Sequence, residues 1–97
     1  MDMSERNRLE TLQIYAALAR LARHKGVEVR EDAVMIKKAI ARSGKPIYVI
    51  RALGAIERVV GNVLASAMMR LTSGPIGIWA LRQDEIDQLL RNASAVS

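Results

Sequence analysis

The chain has 97 residues, a formal net charge of +5, and a composition that is 51% hydrophobic and 26% charged. Half-apolar content excludes a disordered tail, and the length fits one small domain rather than a multi-domain enzyme. There is no cysteine and one histidine, His24, which excludes disulfides, thiolate metal sites, cysteine nucleophiles and a multi-histidine metal centre within one chain.

The aromatic residues are Tyr15, Tyr48 and Trp79, with no Phe. A core of Ala, Val, Ile, Leu and Met points to packed helices. A chain this small also leaves apolar surface for a second copy or a partner, so self-association is expected. Residues 31–70 carry seven basic and three acidic groups, whereas 71–97 carry two and three. A positive middle suits a polyanion such as nucleic acid. The opening Met1-Asp2-Met3-Ser4-Glu5 is acidic where a secretory leader is basic. The uncharged runs Val59–Met69 and Leu71–Leu81 fall short of the about 18–20 residues that span a bilayer. The expectation is a cytoplasmic protein with no membrane partner.

In chain order, the first helix is expected over Glu5–His24. Arg6, Glu10, Gln13, Ala17, Arg20 and His24 mark a polar stripe on an otherwise broad apolar surface. Gly26 is placed to cap it. A second helix is expected over Asp32–Ser43, with Glu31 and Asp32 at its start and Lys37, Lys38 and Arg42 later, as the helix dipole favours. Ile36, Ala39, Ile40 and Ser43 form its inner face, and Gly44 stops it. Pro46 suits a first helical position. From there, either one helix runs to Leu71 or two helices are separated by a turn at Gly54.

Thr72–Gly77 is a break rich in turn residues. A last helix is expected over Gln83–Asn92, docked on the first helix of the same chain or of a symmetry mate. Leu81 and Ile86 have the spacing of a hydrophobic staple; Arg82 occupies the cap position, so the capping box is incomplete. Residues 93–97 form a frayed tail. The fold class expected is all-α: a single helical domain over 1–97, a small bundle of four to five helices with room for a helix-turn-helix.

Catalytic signals are absent. Gly44-Lys45 lacks the earlier Gly and following Ser or Thr of a phosphate loop, and Pro46 removes an N–H that a phosphate cradle uses. One histidine on a polar stripe makes no nucleophile–base set. No enzyme activity, cofactor or metal is expected.

The runs Ile36–Gly44, Val49-Ile50-Arg51-Ala52-Leu53-Gly54-Ala55 and Val60-Gly61-Asn62-Val63-Leu64 resemble the Cro/CI-type helix-turn-helix of phage and plasmid regulators. Leu53, Gly54, Ala55, Val60 and Val63 fall where that pattern has its apolar and turn positions. The resemblance implies a dimeric transcriptional regulator binding duplex DNA. Arg58 and Asn62 would read base edges or phosphate, supported by Lys37, Lys38, Arg42, Lys45 and Arg51. The alternative is a helical adaptor or anti-activator that binds a protein through an apolar surface including Ile47, Tyr48, Val59 and Met69. Trp79 either closes the core or anchors that partner.

Overall fold

The computed structural model describes residues 3–53, 69–73 and 76–96. Its first element, α1, is the long helix Met3–His24. Ile14, Ala17, Leu18 and Ala22 are buried along one stripe of it, at the three- and four-residue spacing of one helical face. Gly26 ends the helix in the left-handed conformation, φ +82°. Its N–H donates to the Arg23 carbonyl at 2.9 Å and the Val27 N–H to the Ala22 carbonyl at 3.0 Å, the paired bonds of a Schellman cap. The chain is then tied back to the helix by the Tyr15 hydroxyl, which donates to the Val29 carbonyl at 2.8 Å. A short 3-10 turn, Glu31–Ala33, leads into the sheet.

Where the sequence suggested a second and third helix, the chain forms strands. β1 is Val34–Ile40 and β2 is Pro46–Leu53, paired antiparallel from Val34 opposite Ala52 to Ile40 opposite Pro46. The connection is a three-residue hairpin loop. The Gly44 N–H donates to the Ala41 carbonyl, the Ala41 N–H donates to the Lys45 carbonyl, and Gly44 takes φ +84°. Such loops place a residue in the left-handed region beside the second strand, a conformation that glycine adopts without steric cost. Gly44 is thus a hairpin residue and stops no helix. Pro46 sits at the first position of a strand, where a proline's missing N–H is tolerated.

β3 is Met69–Ser73 and β4 is Ile76–Arg82. The four strands form one antiparallel sheet in the order β1-β2-β4-β3. β4 pairs with β2 (Ile50 opposite Trp79) and with β3 (Leu71 opposite Ile78). The last helix, α2, is Gln83–Ser94, where the staple spacing put it.

Tyr48, Ile50 and Ala52 of β2 and Trp79 and Leu81 of β4 are buried in one cluster with Ile14, Ala17 and Leu18 of α1 and Ile86, Leu89 and Ala93 of α2. Both helices therefore cover the same face of the sheet and pack on each other. The architecture is α+β, a two-layer arrangement, which corrects the all-α expectation. The physical reason lies in β2. Its far-face residues Ile47 and Val49 are half-buried as well, so Ile47–Ile50 reads as a continuous apolar run without alternation, a pattern shared by buried helices. The helix-turn-helix is likewise overturned over its first half. Ile36–Ile40 and Val49–Leu53 lie in β1 and β2, and its second half lies outside the described residues.

Candidate protein-interaction edge

A polar cluster joins four elements near the start of both helices. Lys38, on the helix-facing side of β1 and opposite Tyr48, donates from its ammonium to Glu10 Oε2 at 3.0 Å. The Tyr48 hydroxyl lies 3.0 Å from the same oxygen and 2.8 Å from Gln83 Oε1. It has one proton, so the two acceptors share it. Gln83 Nε2 in turn donates to Asp87 Oδ1 at 3.0 Å. The Lys38 hydrogen bond holds the Glu10 carboxyl below its ordinary value of 4.5 against the opposing effect of burial. The same bond pushes Lys38 above 10.5. Burial, reinforced by the bond to Glu10, pushes Tyr48 above 10.0. Every shift moves away from neutrality, so at pH 7 the charge states are fixed. A general acid or base needs the opposite tuning. The cluster works as a clamp.

Beside the clamp lies one edge of the sheet, β1; β3 forms the other. Among the described residues, β1 has a strand neighbour on one side only, so half of its backbone N–H and C=O groups lack ladder partners there. Met35 is 61% exposed and Ile40 67%. Leu12 of α1, which lies beside Val34 and Ile36, is exposed too. A hollow of about 120 Å³ runs along the helix side of the edge, lined by Leu12, Tyr15, Val34 and Ile36 with Thr11 and Glu31. A second, of about 150 Å³, lies at Asp32, Ala33, Val34, Met35, Arg51 and Leu53. The edge is therefore flanked by two shallow hollows. Lys37 and Arg51 are exposed on the face of the sheet away from the helices, at diagonal positions in register. Neither forms an ion pair among the described residues. Asp32 is held by Arg30 at 2.9 Å.

A larger cavity, about 620 Å³, opens at the far end of the β1–β2 hairpin. Lys45, Ser43, Ile47 and the start of α2 line it. Arg82 at its wall is bonded to Asp84 at 3.1 Å, which cancels the two charges. Glu85 accepts the Arg82 N–H at 2.9 Å. That is the half of a capping box available to an arginine, whose side chain has no acceptor.

The expected site residues are dispersed. Lys37 and Arg51 lie together on the far face, Lys38 is consumed by Glu10, and Arg42 and Lys45 sit at the hairpin loop. Arg58, Asn62 and Val59 lie outside the described residues. Of the expected partner contacts, Ile47 is half-buried on the far face and Met69 opens β3 opposite Ala80. Tyr48 and Trp79 are buried in the core, so neither is available to a partner; Trp79 takes the core role. Sequence reasoning did not single out Leu12 or Met35. The available signal was two β-branched runs, Val34–Ile40 and Ile47–Ile50, around a Gly-containing turn.

Among the described residues, no group of three or more His, Cys, Asp or Glu is placed to hold a metal ion, and no helix is long and apolar enough to cross a membrane. No protein-family model, curated protein or solved structure matches the chain.

Proposed function

We propose that this chain is a protein-interaction module whose contact surface is centred on the edge of β1. The observation that carries the reading is the company of that edge. Met35 and Ile40 are exposed on, and Leu12 beside, a strand whose outer edge has no strand neighbour among the described residues, a combination that invites a partner. Catalysis is disfavoured by the clamp, whose titrating groups are all held far from neutrality. Duplex DNA is disfavoured because the cations proposed for it are split between the far face, the hairpin loop and the clamp. The aromatic residues that would stack on single-stranded bases are withdrawn: Tyr48 and Trp79 are buried, and Tyr15 bonds to Val29. Self-association through the same edge is the competing occupancy.

Affinity capture from lysate with and without nuclease tests this, using wild type and a Met35→Glu, Ile40→Glu double variant. The expected result is a protein partner retained after nuclease and lost in the variant. Capture that vanishes with nuclease, or is unchanged in the variant, overturns the reading.

A further inference from the structure

We propose that β1 binds its partner by strand addition, taking an extended segment in which apolar residues alternate with acidic ones. This rests on the interaction reading above and specifies its chemistry.

An added strand would satisfy the outward N–H and C=O groups of β1 and extend the sheet, and its side chains would point alternately to the two faces. On the helix side they meet the hollow formed by Leu12, Tyr15, Val34 and Ile36. Its one charged wall residue is Glu31, so that face selects apolar side chains and rejects acidic ones. On the far side they meet Lys37, with Arg51 one strand further in on β2. These cations stand on neighbouring strands at diagonal positions, Lys37 opposite Val49 and Arg51 opposite Met35. Like charges on one face repel, and a carboxylate on the added strand beside Lys37 lowers that repulsion. Lys38 does not compete for it, because its charge is neutralised by Glu10 at 3.0 Å.

The same charge pattern disfavours a second copy as the occupant. β1 reads Val-Met-Ile-Lys-Lys-Ala-Ile and contains no acidic residue. No antiparallel pairing of β1 with itself can therefore set a strand carboxylate against Lys37. Pairing centred on Lys37 would oppose it to its own copy.

The test uses capped peptides of seven residues, the length of β1, built as alternating Val and Glu. Controls carry the same composition in blocks, or replace Glu by Lys. Two further peptides are N-methylated at alternate residues, on one edge or on the other. Binding is read from backbone amide shifts and hydrogen exchange of the labelled protein. The alternating Val/Glu peptide is expected to slow exchange along β1. Methylating the edge that faces β1 should weaken binding roughly tenfold or more through lost ladder hydrogen bonds, with little effect from methylating the other edge. A Lys37→Glu, Arg51→Glu double variant should prefer the Val/Lys peptide. Equal binding of the block peptide, equal effects of both methylations, or no response of β1 at millimolar peptide overturns the proposal. So does protection of β1 that grows with protein concentration alone, which would identify a second copy. A captured partner that leaves β1 amides unprotected refutes strand addition while leaving the interaction reading intact.

Discussion

Replacing Trp79 by Ala should remove much of the stability of the fold. Trp79 is 1% exposed and stands in the middle of β4, opposite the fully buried Ile50. A buried Trp removes roughly 150–250 Å² from water. At about 25 cal/mol per Å² of apolar surface, that corresponds to roughly 4–6 kcal/mol. Measured large-to-small substitutions at such sites give about 3–5 kcal/mol, because neighbours relax partly into the hole. A domain of this size has a total stability of about 5–15 kcal/mol. Each kcal/mol is worth about 4–8 °C of melting temperature, so the variant should melt at least about 12 °C lower or be unfolded at room temperature. Thermal melts followed by far-ultraviolet circular dichroism measure this. Trp79 is the only tryptophan, so wild-type emission and its protection from iodide quenching report burial independently. A variant melting within a few degrees of wild type would show that the ring is no part of the core.

Glu10→Gln should cost stability at neutral pH and flatten the acid limb of the stability curve. Glu10's folded pKa is depressed, so its contribution is complete above the ordinary value of 4.5 and disappears as pH falls through the lower folded value; urea melts from pH 2 to 7 would check this, and parallel wild-type and variant curves would count against it. Gly44→Ala should destabilise by about 1–2 kcal/mol through backbone strain alone, since φ is +84° and an added Cβ meets nothing within 4 Å; Gly44→Asn should cost less, and equal losses in denaturant melts would argue against the turn geometry. Ile50→Ala should cost about 2–5 kcal/mol, whereas Ile40→Ala should change stability by less than about 0.5 kcal/mol, because Ile50 is fully buried and Ile40 is exposed at the edge; the same melts rank them.

The two helices were legible because each carries local signals that agree with its packing. Ile14, Leu18 and Ala22 recur at helical spacing before Gly26, and Leu81, Ile86 and an acidic first turn announce α2. The sheet was obscured by two features. β2 has apolar residues on both faces, and Lys38 interrupts the alternation of Val34, Ile36 and Ile40. Lys38 stands on the inner face because Glu10, 28 positions earlier, supplies its counter-charge. A pairing at that distance leaves no local trace. Basic residues after acidic ones, read as helix-dipole complementarity, reflect that long-range ion pair and an exposed edge. The candidate surface was equally hidden, since an unpaired edge is a property of strand order.

Site-specific photocrosslinking tests the central claim most directly. Benzoylphenylalanine is placed either at position 35, on the edge of β1, or at position 91, exposed on α2, and irradiated in lysate. If β1 is the contact surface, position 35 should yield a crosslinked protein partner and position 91 should not. Crosslinking from position 91 alone, or recovery of nucleic acid from position 35, would contradict it.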